Sequence, residues 1–66
     1  MVVVVNGTET ELQEGQTLLG LLEERNIPAD GVVAELNQAI VPGADCGKTV
    51  LCDGDHLEVL RFVGGG

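Results

Sequence analysis

Apolar and polar positions along the chain predict a hairpin at the amino terminus. Four consecutive valines at 2–5 are β-branched, so residues 1–5 favour a strand with apolar side chains on both faces. Asn6-Gly7 follows, and both residues tolerate the positive φ angles of a tight hairpin turn. The alternation over 8–13 then predicts the returning strand.

One helix is predicted after this hairpin, beginning after Thr17, a suitable N-cap residue. The positions on one helical face are Leu18, Leu19, Leu21 and Leu22. Gly20 lacks a side chain, and we expect it to let the helix approach the sheet closely. Pro28 ends the helical region, because the residue before a proline avoids the helical conformation.

The rest of the chain predicts three more strands in one domain. The segments are a strand at 32–36, a tight turn at 37–38, a short strand at 39–41, a loop at 42–45, a turn at 53–55 and a last strand at 57–63. The predicted fold class is α+β, a mixed sheet of about four to five strands with one main helix across one face. No linker, repeat or second domain is visible.

A single short helix covers only one face of such a sheet. If Leu57 and Val59 of the last strand face the helix, then Leu60, Phe62 and half of the valines form an apolar patch on the other face. Such a patch is typical of a protein-binding surface. The alternative is that the loop at 42–52 folds over it.

The formal charge of −8, from eleven acidic and three basic residues, limits the partners. Nucleic acid and anionic membranes are disfavoured, because both require clustered Lys and Arg. A partner with a basic groove is favoured, unless the acidic surface serves only to keep the protein in solution. The sequence has neither a signal peptide nor an apolar run long enough to span a membrane, so we expect a cytoplasmic location.

Ordinary catalytic groups are sparse. His56 lies in a predicted turn, and Cys46 and Cys52 lack the paired spacing of a structural zinc site, so no metal is expected. The segment 43–49 falls one residue short of a phosphate-binding loop. No catalytic residue is predicted.

The last three residues offer the clearest chemistry. Gly64 and Gly65 have no side chains and can enter a narrow channel, with Gly66 at the end. The α-carboxylate is a poor acyl donor, but adenylation would give it a leaving group and sulfur could then form a thiocarboxylate. The alternatives are a frayed terminus or a cloning remnant. We divide the chain into a domain at 1–63 and a glycine tail at 64–66.

Motifs along the whole chain resemble the sulfur carrier family of thiamine biosynthesis, ThiS. In order, they are Asn6-Gly7 after the valines, Glu14-Gly15-Gln16-Thr17-Leu18, Leu21-Leu22-Glu23, Val33-Ala34-Glu35-Leu36-Asn37, Ile40-Val41-Pro42, Asp53-Gly54-Asp55, and Val59 through Phe62-Val63 to the glycines. Gly43 and Cys46 depart from the family pattern, which often has a basic and then an aromatic residue in this loop.

The resemblance implies a ubiquitin-like β-grasp fold and a carrier protein rather than an enzyme. It implies that an E1-like adenylyltransferase of the ThiF type uses ATP to adenylate Gly66, with no cofactor bound by the carrier itself. A cysteine desulfurase relay then supplies sulfur, and thiazole synthase of the ThiG type takes it from the thiocarboxylate. Gly64 and Gly65 would enter the partners' active sites. Leu60 and Phe62 are candidate docking residues on the strand pattern described above, not on the resemblance.

Three other functions compete with the thiamine pathway. The small subunit of molybdopterin synthase has the same fold and chemistry, but it is usually longer and richer in aromatic residues, and this chain has a single Phe. Carriers for other sulfur-containing metabolites and ubiquitin-like protein modifiers remain open. A plant-type ferredoxin is excluded, because it needs four cluster cysteines and this chain has two.

Overall fold

The computed structural model describes residues 1–61 and contains five strands, one α-helix and two 3₁₀ helices in that range. The strands are β1 (Val2–Val5), β2 (Thr8–Glu11), β3 (Val32–Leu36), β4 (Ala39–Val41) and β5 (His56–Arg61). The helix is α1 (Leu18–Glu24), and the 3₁₀ helices are Ala29–Gly31 and Gly43–Lys48. The predicted fold class, a mixed sheet with one main helix, is confirmed.

The sheet has the order β2-β1-β5-β3-β4, which places the last strand at its centre. β1 and β5 are parallel, with Val4 beside His56 and Val5 beside Leu57. The other three strand pairs are antiparallel. Because β5 lies between two strands on either side, its direction is determined by long-range pairing rather than by a local turn.

The core lies between the sheet and α1. Its buried members are Val3, Val5, Leu18, Leu21, Leu22, Ala34, Cys46, Leu51 and Leu57. Alternate residues of β1 point into this core, and the other two valines point to the opposite face. Cys46 and Leu51 belong to the same core as the helix leucines, so the segment after β4 packs on the helix side. The alternative that the loop at 42–52 covers the opposite face is therefore wrong.

The predicted N-cap of α1 is confirmed. Thr17 has an extended backbone, and its hydroxyl accepts a hydrogen bond from Gly20 N at 3.0 Å. The prediction for Gly20 was wrong in its reason. A Cβ there would lie 3.2 Å from Thr17 Oγ1 and would meet no sheet atom within 4 Å, so the glycine makes room for the cap.

Both predicted hairpin turns are present, at Asn6-Gly7 and at Asn37-Gln38. All four residues have positive φ angles, from 48° to 82°. Several elements differ from prediction: β2 ends at Glu11 rather than at 13, β5 begins at His56 rather than at 57, and Gly43–Lys48 forms a 3₁₀ helix where we expected a loop. Pro42 and Gly43 predict irregular backbone, but the burial of Cys46 holds the segment as a turn of helix.

Candidate functional site

The candidate site comprises β5, the sheet face opposite α1 and the tail that follows β5 in the sequence. Leu60 lies on β5 and is 54% exposed. Phe62, Gly64, Gly65 and Gly66 lie outside the described residues, so their predicted roles remain predictions. The described part of the site is therefore β5 and the sheet face around it, which precede the tail in the sequence.

The sheet face opposite α1, called the open face below, carries alternate residues of every strand. Leu57 is buried and Val59 is half-buried on the helix side, as predicted, which leaves His56, Glu58 and Leu60 on the open face. The apolar members of the open face are Val2, Val4, Val33, Ile40 and Leu60, and its acidic members are Glu9, Glu11, Glu35 and Glu58. Apolar and acidic side chains are therefore interleaved on this surface.

Of the expected apolar patch, Val2, Val4 and Leu60 lie on the open face but do not form a continuous surface, and Phe62 lies outside the described residues. Val4 pairs with His56, four residues before Leu60, and four residues of strand span roughly 13 Å. Glu58 lies between them on the same face of β5. Leu60 instead has Val33 directly opposite, so these two residues form a small apolar spot toward the carboxyl end of β5.

Two glutamates lie directly opposite each other on the open face, Glu35 on β3 and Glu58 on β5. Like charges in such a cross-strand pair destabilise a sheet. Together with Asn37, Gln38 and His56 they line a shallow depression. The negative potential of this surface is suited to a partner that presents Lys or Arg.

Two asparagine side chains attach β5 to the neighbouring hairpins, one at its first residue and one near its middle. Asn37 Oδ1 accepts a hydrogen bond from His56 N at 2.9 Å. Asn6 Oδ1 accepts one from Val59 N at 2.8 Å. Sequence reasoning recognised both asparagines as turn residues but missed these contacts, because they join residues that are 19 and 53 positions apart.

The remaining candidates do not form a catalytic group. His56 is exposed and begins β5 rather than lying in a turn, and its backbone N–H and C=O are both bonded to Asn37. Cys46 is buried, whereas Cys52 is exposed. Burial, and to a lesser degree the nearby Asp45 carboxylate, raise the pKa of the Cys46 thiol. A raised pKa keeps the thiol protonated and unreactive.

Within residues 1–61, no group of three or more His, Cys, Asp and Glu side chains is arranged to hold a metal ion. No helix in the same range is long and apolar enough to cross a membrane. The described part of the site is an exposed surface that another protein could contact.

A family model, a curated relative and a solved structure all match this chain and agree on one protein family. The model of the ThiS family matches residues 3–66. The sulfur carrier protein ThiS of Thermus thermophilus is 38% identical over 64 residues, which are 97% of this chain and 98% of that protein. The crystal structure of the thiamine biosynthesis protein ThiS of Geobacter metallireducens superimposes with a TM-score of 0.84 at 32% identity, covering all of both chains.

A second kind of relative is much longer than this chain. Thiazole synthase of Paramagnetospirillum magneticum is 36% identical over all 66 residues, but these are only 20% of its length. The chain thus spans about a fifth of that relative and nearly the whole of the sulfur carrier from Thermus thermophilus. Matches over the full chain in sequence and in fold agree, and the chain belongs to the ThiS family.

Proposed function

We propose that this protein is a sulfur carrier for the formation of the thiazole ring of thiamine, acting through the carboxylate of Gly66. The observation that carries the proposal is the family match over residues 3–66, which includes the three glycines. The protein is a co-substrate of other enzymes, and its own domain presents the tail.

The proposed chemistry has three steps. The Gly66 carboxylate attacks the α-phosphorus of ATP on an E1-like enzyme of the ThiF type, forming an acyl-adenylate and releasing pyrophosphate. The terminal sulfur of a cysteine persulfide from a desulfurase relay then displaces AMP and forms an acyl disulfide. A second thiol cleaves the S–S bond, which leaves a thiocarboxylate on Gly66 and a disulfide on the donor. Gly64 and Gly65 extend through the partners' channels.

Thiazole synthase of the ThiG type is the proposed sulfur acceptor. Support comes from the thiazole synthase of Paramagnetospirillum magneticum, a fifth of which resembles this entire chain. A carrier-like region within a thiazole synthase suggests that the two act on each other. The proposal therefore favours thiamine over molybdopterin as the product pathway.

The test is intact-protein mass spectrometry after incubation with a ThiF-type enzyme, ATP and a persulfide donor. We expect the mass change of one oxygen replaced by sulfur, mapped to Gly66. Deletion of Gly66 and amidation of its carboxylate are matched controls that should both stay unmodified. An unchanged wild-type mass with an active enzyme, or sulfur transfer from the amidated chain, would refute the proposal. Lysine-linked conjugates that require Gly66 would indicate a protein modifier instead.

The open face near the carboxyl end of β5 is the proposed docking surface for the adenylating enzyme. Leu60 and Val33 supply its apolar centre, and Glu58 and Glu35 supply its charge. Phe62 follows two residues after Leu60 in the sequence and is proposed to extend this surface. The surface directly precedes the tail, so docking there would bring Gly66 toward an active site.

Leu60→Ser tests this surface. We expect an increase in KM for the carrier of about tenfold, corresponding to the ~1–2 kcal/mol of one buried apolar anchor. Ile40→Ser is the control, because Ile40 is 68% exposed on the same face but lies at the outer strand β4. Equal KM values for the two variants would contradict docking through Leu60.

A further inference from the structure

The hydrogen bonds between β1 and β5 end at Asn6. Val4 N donates to Asp55 O at 2.9 Å, and Asn6 N donates to Leu57 O at 2.9 Å. Val59 N is the next donor along β5. At this point β1 has ended, because Asn6 has a φ of 48° and starts the turn to β2.

Beyond the end of β1, the side chain of Asn6 makes the hydrogen bonds to β5 that the backbone of β1 would otherwise make. Its Oδ1 accepts from Val59 N at 2.8 Å, and its Nδ2 makes a longer contact of 3.4 Å to Val59 O. On the other edge of β5, Val59 pairs with Ala34 of β3. Within residues 1–61, this asparagine is therefore what holds β5 on the β1 side beyond Leu57.

We propose that Asn6 is a positioning residue for the carboxyl end of β5, and hence for the delivery of Gly66 to the adenylating enzyme. This role rests on the proposed function. Asn6 fixes Val59 on the β1 edge and β3 pairs with it on the other edge, so Asn6 helps to hold the part of β5 from which the chain continues in sequence to Gly66. Displacement of a reacting group by about 1 Å can lower a rate by up to ~100-fold.

Asn37 provides a matched control. It is also an asparagine at a hairpin turn with positive φ, and its Oδ1 likewise accepts a hydrogen bond from a β5 amide, that of His56. His56 is the first residue of β5, at the end remote from the tail. Glycine accepts positive φ without strain, so Asn6→Gly and Asn37→Gly remove the side-chain bonds and preserve both turns.

The experiment is ATP–pyrophosphate exchange with a ThiF-type enzyme, measured over a range of carrier concentrations. The assay temperature is kept well below the melting temperature of every carrier variant. We expect Asn6→Gly to lower kcat about tenfold with KM within about twofold of wild type, because docking is kept and alignment is lost. Asn37→Gly acts at the amino end of β5, so its kcat should be clearly higher than that of Asn6→Gly, whatever its effect on KM. Asn6→Asp keeps the Oδ1 acceptor for Val59 N and should recover most of the lost rate.

The possible results distinguish a failure of the positioning role of Asn6 from a failure of the proposed sulfur carrier function. Equal kcat for Asn6→Gly and Asn37→Gly, or no recovery by Asn6→Asp, would overturn the role of Asn6 while leaving the sulfur carrier intact. Absence of exchange with the wild-type protein and an active enzyme would overturn the proposed function itself. A loss confined to KM would also refute positioning, since it would mean that Asn6 acts in docking.

Discussion

The aspartates of the turn before β5 accept hydrogen bonds from backbone amides and from one asparagine side chain. Asp53 Oδ1 accepts a hydrogen bond from Val2 N at 2.7 Å, which attaches the start of β1 to this turn. Asp55 Oδ2 accepts from Cys52 N at 2.8 Å, and its Oδ1 accepts from Asn37 Nδ2 at 3.0 Å. Carboxylates with these partners are structural, and their bonds stabilise the site without taking part in its chemistry.

The two cysteines should react very differently. Cys46 is 2% exposed, its pKa is raised by burial, and its Sγ lies 3.7 Å from Pro42 O. We expect iodoacetamide at neutral pH to label Cys52 alone in the folded protein and both thiols in denaturant, read by peptide mass spectrometry. Rapid labelling of Cys46 in the native state would mean that the second 3₁₀ helix opens readily.

The same thiol should make stability fall at alkaline pH. Its folded-state pKa lies above the ordinary value of 9.0, so the folded protein holds this proton more tightly than the unfolded chain. The stabilisation is complete below 9.0 and is lost as pH rises through the folded-state pKa. Urea unfolding of wild type and Cys46→Ala from pH 8 upward measures this, and the variant should lack that part of the decline.

At the scale of elements, α1 depends on its first turn, because a helix of seven residues makes few hydrogen bonds of its own. Thr17→Ala removes the hydroxyl that accepts from Gly20 N and should lower the free energy of unfolding by about 1 kcal/mol. Thr17→Ser is the control and should retain most of the stability. Chemical denaturation measures both variants, and an unchanged Thr17→Ala midpoint would contradict a role for the cap.

Elements with local signals were predictable from the sequence. The asparagine turns, the Thr17 cap and the bounds of β3 and β4 follow from backbone preferences of a few neighbouring residues. The 3₁₀ helix Gly43–Lys48 was missed, because the burial of Cys46 under α1 is a tertiary contact. The side-chain bonds of Asn6 and Asp53 were missed for the same reason, since their partners are distant in the sequence.

At the scale of the whole molecule, the negative charge of the open face lowers the stability of the sheet but is suited to binding a basic partner. Glu35 and Glu58 oppose each other across β3 and β5, and the chain already carries a net charge of −8. Glu58→Lys would replace this repulsion by an opposite-charge pair. We expect it to raise the free energy of unfolding by about 0.5–1 kcal/mol.

The same substitution should impair function if the surface meets a basic partner. For Glu58→Lys we expect KM with the adenylating enzyme to rise several-fold at low salt, and the difference from wild type to shrink as salt screens the charges. Glu14→Lys is the control, since it changes the net charge equally from an exposed position outside the sheet. A stabilised Glu58→Lys protein with an unchanged KM would show that the adenylating enzyme does not bind the Glu35–Glu58 pair. A KM raised equally by both variants would mean that net charge, rather than the open face, guides the encounter.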